Sequence, residues 1–343
     1  MSSCALDISD QSIKYGELHS SATGLSLGRY GQAKIPPGVI VSGKIENEDR
    51  LVEVLKTLRI KEELHFVRVA LPEEQMYLFT LSLPKVEGGD VRETILLSIE
   101  EHIPLSAGDT LFDYEVLSET DTTALVQVAA IAALTIESYL SVFDRAGLVP
   151  VSFELETQAI ARAVIPKDDN TTMMIVDFGE TRTGISIASG GKVLFTSTLD
   201  MGGKILTDMI AKNFSISFEE AEKMKLSYNL SSSHPANDIF PAIISGISVL
   251  RDEISKHMIY WGTHEDEMKR KRDPISKIVL CGGDSNLYGL ADYFSVSMKI
   301  KVEHANTWVN ISDMKNGVPD MPYEESLSYV TMLGLALGDY IYD

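Results

Sequence analysis

The residues best suited to chemistry are the acids that end short apolar runs. In Met173 to Ala188, MMIVDFGETRTGISIA, four apolar residues run into Asp177, a short turn containing Gly179 follows, and Gly184-Ile185-Ser186-Ile187 leads back as an alternating strand. The pattern predicts a hairpin with a carboxylate at its tip. Cys4 to Ser9, CALDIS, repeats it: a short apolar strand reaches Asp7, and Ser12-Ile13-Lys14-Tyr15 returns after a polar turn. A third strand end, Lys277 to Leu280, runs into Cys281-Gly282-Gly283-Asp284-Ser285. Glycine lets backbone amides approach an anion, and a carboxylate beside them can hold a hydrated magnesium ion, so such tips suit a nucleotide phosphate. The plainer alternative is an Asp that only caps its turn.

The 343-residue chain exceeds one average domain, and its 44% hydrophobic content is ample for two or more packed units. With 30 basic against 50 acidic residues the net charge is −20, which repels nucleic acid and anionic lipid and attracts basic protein surfaces. Cys4 and Cys281 each lie in or beside an apolar run, so neither a disulfide framework nor a metal site is expected. The seven His have no ligand spacing, and Trp261, Trp308 and the methionines read as packing residues. The start, MSSCALDISD, lacks a basic region followed by an apolar stretch, and no run reaches the roughly 18 apolar residues of a membrane span. The expectation is a cytoplasmic protein without direct membrane insertion, held at a membrane only through a partner.

Several elements must position these tips. A Pro-Pro-Gly break at 36–38 precedes a helix over Asn47 to Arg59, and Phe66 to Leu71 is a strand stopped by Pro72. From Pro72 to about Pro150 the pattern is strand, helix capped by Asp90, strand, strand, then a helix from about Ile136 to Ala146 closed by Gly147. This stretch carries 14 acidic residues against Lys85, Arg92 and Arg145, a net −11. Residues 151–165 are expected as a helix carrying Glu154, Glu156 and Gln158. Helices are expected over Lys204 to Asn213, Ser217 to Tyr228, about Pro241 to Met268, from near Leu287, and over Glu324 to Tyr340, with a loop at Ser231 to Asp238. The basic cluster Lys269 to Arg272 is expected to complement the dipole of the helix ending at Met268.

The order of these elements resembles the actin-like (ribonuclease H-like) ATPase superfamily. That resemblance implies an α/β fold of two duplicated halves with a small inserted α+β subdomain in the first. DISDQSIK (7–14) is similar to the first phosphate loop, VDFGETRT (176–183) to the second, LCGGDSN (280–286) to the adenosine loop, and Ala221 to Lys225 to the AExxK pattern. The resemblance implies ATP held by Asp7, Ser9, Asp10, Ser12 and Lys14 on the first loop and by Asp177, Gly179 and Thr181 on the second. It adds Glu222 and Lys225 against ribose and base, with Gly282, Gly283 and Asp284 beside them. Mg2+ would lie at Asp7 and Asp177, and Glu156 with Asp177 would carry any catalysis, Glu156 polarising the attacking water.

Three longer stretches, 81–117, 139–164 and 277–308, are similar to the PilM family of type IV pilus assembly proteins, related to the cell-division protein FtsA. The resemblance implies a first half over 1–71, an inserted subdomain over 72–150, an inter-loop helix in 151–170, a second half over 171–321, and a terminal helix over 322–343 that returns to the first half. It implies an ATP-binding scaffold at the inner-membrane platform, docked to the N-terminal cytoplasmic tail of a PilN-like single-span protein and to other platform components. The alternatives are an actin-fold ATPase or kinase acting as an enzyme, or an FtsA-like division protein. The phosphate loops depart from the family. Ser9 stands where glycine is usual, Asp10 would face a phosphate, and Glu180, Thr181 and Arg182 replace small residues. Binding is therefore expected to be weakened, and hydrolysis slow at most.

Overall fold

The apolar run CALDI forms strand β1 (Cys4–Ile8), buried along its length, and the turn after it sends β2 (Ser12–Ser21) back antiparallel, with β3 (Gly24–Lys34) beyond. The structure, a computed structural model, describes residues 3–21, 24–85, 90–227, 239–311 and 319–341. A two-strand hairpin, β4 (Ile40–Val41) and β5 (Lys44–Ile45), leads to helix α1 (Glu48–Glu62). Asn47 caps α1 by accepting from the Arg50 amide at 3.1 Å, and Leu51, Leu55 and Leu58 bury its inner face. β6 (Phe66–Leu71) pairs parallel with β1 on the side opposite β2.

The chain then leaves this sheet for a separate one. A single 3-10 turn at Glu73–Gln75 leads into β7 (Met76–Pro84), followed by α2 (Val91–Ser98), β8 (Thr110–Glu119) and β9 (Thr123–Ala132). The three strands pair antiparallel with β9 in the middle, and α2 packs Ile95 against Leu81, Leu83, Val126 and Val128. α3 (Ala133–Ala146) returns the chain onto the first core, and β10 (Val149–Leu155) completes the first sheet in the order β10-β6-β1-β2-β3.

The second half repeats that design. After α4 (Glu156–Val164) come β11 (Met173–Phe178), β12 (Thr183–Ser189) and β13 (Lys192–Leu199) as an antiparallel meander. α5 (Gly203–Phe214), α6 (Phe218–Ser227) and α7 (Phe240–Thr263) follow, then β14 (Ile278–Cys281), α8 (Leu290–Met298) and β15 (Val302–His304). The sheet order β13-β12-β11-β14-β15, with β14 and β15 parallel to β11, matches the first sheet strand for strand. After α9 (Tyr323–Ser326), α10 (Val330–Ile341) crosses back, setting Met332, Leu333 and Leu335 among Ala5, Leu18 and Ala70 of the first sheet.

Two expectations need correction. Residues 149–155 are a strand, and the helix starts only at Glu156, because Val151, Phe153 and Leu155 alternate and β10 pairs parallel with β6 through Phe153 opposite Val69 and Leu155 opposite Leu71. The basic cluster Lys269 to Arg272 does not serve a helix end. α7 stops at Thr263, Asp266 takes the amide and Nε of Arg270 at 2.7 Å each, and the Arg272 guanidinium lies 4.6 Å from the Trp261 ring centre. The loop expected at Ser231 to Asp238 lies outside the described residues.

The halves meet where α10 crosses α4. A Cβ on Gly334 would lie 1.8 Å from the Ala159 carbonyl oxygen, so only glycine permits that separation. Gly334→Ala should therefore destabilise the protein by about 1–3 kcal/mol or more, as overpacking of a close-packed contact does. Denaturant unfolding checks this, and an unchanged midpoint would contradict the contact.

Candidate functional site

Asp7 and Asp177 sit near the ends of β1 and β11, the middle strands of the two sheets, with Asp7 opposite Lys14 and Asp177 opposite Gly184 across their hairpins. Repetition of one topology thus brings two carboxylate-tipped hairpins to one cleft. Gly282, at the end of β14, turns there with φ +87°, and a Cβ on it would lie 2.4 Å from Asp177 Oδ1. The loop after β11 is fixed from below, since the Gly203 and Lys204 amides at the start of α5 donate to the carbonyls of Gly179 and Glu180 at 2.9 Å each. The first loop is closed by Ser9 itself, whose hydroxyl accepts from the Ser12 amide at 3.3 Å while its own amide donates to the Ser12 carbonyl at 2.9 Å.

These loops enclose a cavity of about 530 Å³. Asp7, Ser9, Ser12, Lys14, Glu156, Asp177, Gly179, Thr181, Glu222, Gly282, Gly283 and Asp284 all line it. Asp10 does not: its carboxylate accepts from the amides of Ser42 and Gly43 at 2.9 and 3.0 Å, so it ties the first loop to the β4–β5 turn rather than facing a phosphate. Lys225 lies buried beneath the cavity, its ammonium paired with Asp284 and, at 2.9 Å, with Glu222. It reaches the site only through those acids.

Electrostatically, the cleft holds more carboxylates than it can pair. Burial, then repulsion from Glu156 and Asp177, pushes the Asp7 carboxyl up to about 7 against the pull of Lys14, and its Oδ1 is buried without a hydrogen-bond partner. Burial and Glu156 push Asp177 up to about 6. Lys14 donates to the Ser328 carbonyl and lies 5.7 Å from the Tyr329 ring centre. Glu156 opens α4, and its carboxylate is held by Arg182 Nη2 at 3.0 Å while Nη1 of the same guanidinium holds Glu74. Behind this triad Glu73 is buried, accepts from Thr157 Oγ1 at 3.1 Å, and is pushed up to about 7, chiefly by burial.

In the sequence Arg182 reads only as a departure from small residues, and Glu73 and Glu74 belong to no motif. Two adjacent acids at a strand end, just past Pro72, were the available signal. Among the described residues no group of three or more His, Cys, Asp or Glu is placed to hold a metal by itself. The unpartnered oxygen of Asp7 and the carboxyl of Asp177 nevertheless suit a hard divalent cation that keeps most of its waters and takes phosphate oxygens.

The profile of the family described as "Type IV pilus assembly protein PilM" matches residues 5–340. The structure is similar to that of a PilM-PilN type IV pilus biogenesis complex, with a TM-score of 0.80 and 22% identity over 98% of each chain. It is similar as well to MreB5 of Spiroplasma citri bound to ADP, with a TM-score of 0.54 and 14% identity over 90% of this chain and 92% of that one. The fold is therefore actin-like. The cell-division protein FtsA of Neisseria meningitidis serogroup B is 24% identical over 108 residues, 31% of this chain. The matched stretches span 26% and 48% of the first two curated relatives.

The buried carboxyls make stability depend on pH. A carboxyl whose pKa is higher in the folded chain contributes most below its unfolded value, near 4.3 for Glu, and loses that contribution as pH rises through the folded value. For Glu73 the window therefore runs up to about 7. Glu73→Gln, which keeps an acceptor for Thr157, should melt higher than wild type at pH 8 by several degrees more than at pH 5. Equal differences at both pH values would contradict the burial of a charged Glu73.

Proposed function

Because the chain belongs to the family of type IV pilus assembly protein PilM, we propose that it is a nucleotide-binding scaffold of the pilus assembly platform, binding ATP with Mg2+ in the cleft and a PilN-like membrane protein through the inserted subdomain. The observation that carries the nucleotide half is the meeting of two Asp-tipped hairpins over one cavity with a buried carboxylate oxygen left unpartnered. Asp7 and Asp177 would hold the cation, and Lys14 with the amides of the Gly179 loop would take phosphate oxygens. The wall formed by Glu222, Gly282, Gly283 and Asp284 would receive the nucleoside. The cation would supply the counter-charge that the unpartnered Asp7 oxygen and the neighbouring Asp177 carboxyl lack.

Slow turnover follows from the pairing of Glu156. A residue that polarises water does so with its negative charge, and Arg182 partly neutralises that charge by pairing with Glu156 Oε2 at 3.0 Å. Lys14→Ala should weaken ATP binding by roughly tenfold, the loss expected of one charge-assisted contact. Calorimetry with ATP and a non-hydrolysable analogue checks this. No binding of either to the wild type would contradict the nucleotide reading, and turnover of about 1 per second or faster would contradict the scaffold reading.

The partner half rests on the acidic subdomain and on a groove of about 630 Å³ between it and β10. Met76, Leu78, Leu111 and Phe153 supply apolar surface there, with Asp113 and Glu115 beside them. The net −11 of 72–150 suits a cytoplasmic tail carrying Lys or Arg. The similar structure contains PilN, which supports this choice of partner. Among the described residues no helix is long and apolar enough to cross a membrane; the proposed place at the inner membrane rests on the PilN-like partner. Leu111 is half exposed, so Leu111→Asp should leave the fold intact and weaken a labelled tail peptide by tenfold or more, on the order of one hot-spot contact. Raising the salt should weaken binding only in part. Unchanged affinity in the variant would rule the groove out, and complete loss at moderate salt would reduce the contact to charge attraction.

A further inference from the structure

Arg182 is the cation whose position the nucleotide reading leaves unexplained. It comes from the second phosphate loop, lines the same cavity as Asp7 and Lys14, and is mostly buried, with 15% of its side chain exposed. Its guanidinium divides itself between Glu156 on α4 and Glu74 in the turn that opens the inserted subdomain. Burial disfavours a cation here, yet the neighbouring Glu156, Glu74 and Asp10 carboxylates keep it firmly charged. The second oxygen of Glu74 is buried without a partner. The arrangement is therefore an arginine satisfied by two carboxylates at the hairpin end of the cleft, where a terminal phosphate would compete for the same N–H donors. A phosphate dianion offers several acceptor oxygens to the planar fork, and a guanidinium binds it bidentately where a carboxylate pair divides it.

We propose that Arg182 reads the terminal phosphate of a nucleoside triphosphate and gives up Glu74 to do so. This makes it the residue that separates triphosphate from diphosphate, and the proposal rests on the nucleotide reading of the cleft. Released, Glu74 is a buried carboxylate without its counter-charge and must move or take up a proton. The turn Glu73–Gln75 is the direct link from β6 to β7, so the exchange of partners reaches the root of the subdomain proposed to hold the membrane partner's tail. Binding and release at the two places are then coupled reciprocally.

The test compares ADP and a non-hydrolysable ATP analogue, each with Mg2+, by calorimetry on the full chain. The wild type should prefer the analogue by roughly tenfold, one bidentate charge-assisted contact. Arg182→Gln should bring the preference to about one while ADP affinity stays within about twofold, a difference that measurement resolves. Glu74→Gln, which frees the guanidinium, should raise the preference. The double variant should show none, because the guanidinium rather than the net charge of the cleft carries the effect. Hydrogen exchange of residues 73–84 should be faster with the analogue than with ADP in wild type and alike in Glu74→Gln. Equal weakening of both nucleotides by Arg182→Gln would assign the residue a structural role and overturn the inference, as would an unchanged preference or identical exchange in the wild type. Failure of wild-type protein to bind either nucleotide would overturn the nucleotide reading itself, and this inference with it.

Discussion

Two carboxylates carried by separate sheets face one buried cleft, and the rest of the structure is arranged around that unfavourable placement. Each Asp sits near the end of a middle strand because the sheet topology is repeated, so duplication of the fold duplicates the charge. Bringing the halves together removes water from both, which is why their carboxyls are pushed up to about 7 and about 6. Lys14 and Arg182 answer only part of the deficit, since Lys14 also donates to the Ser328 carbonyl and Arg182 is held by Glu74 and Glu156. A cation bridging to phosphate would complete such a site.

The cleft keeps its shape through the packing of α4 against α10. Gly334 lets α10 lie against the Ala159 carbonyl, and Arg162 donates to the Gly334 carbonyl at 2.9 Å and pairs with Glu154 at 2.7 Å. Arg68 extends this network to Asp339 at 2.6 Å and to Glu154 at 3.2 Å. α4 begins at Glu156 in the cleft and β10 runs directly into it, while β10 also forms one wall of the groove beside the inserted subdomain. The cleft proposed for nucleotide and the groove proposed for the partner thus share a continuous piece of chain.

What was legible in the sequence is what is local. An apolar strand that ends in Asp and turns back announces its own hairpin, and Asn47 and Asp90 announce the helices they cap. Residues 151–165 misled because Glu154, Glu156 and Gln158 fit either period, and pairing with β6 made the first part a strand. Asp10 accepts from Ser42 and Gly43, 32 and 33 residues away, a choice that no spacing rule reveals. Arg182 has the same difficulty. By its neighbours in sequence it is an intrusion into a phosphate loop; its partners are Glu156 and Glu74, and Glu74 comes from a turn 108 residues earlier.

The cleft is proposed to be completed by a cation and a phosphate together, neither sufficing alone. The most direct measurement is the affinity of the full chain for ATP with saturating Mg2+ and again in a chelator, with Mg2+ alone as the third arm. ATP should bind on the order of tenfold or more tighter with Mg2+, because the Asp7 and Asp177 carboxylates otherwise repel the phosphate, and Mg2+ alone should bind only weakly. Equal ATP affinity with and without Mg2+ would contradict it.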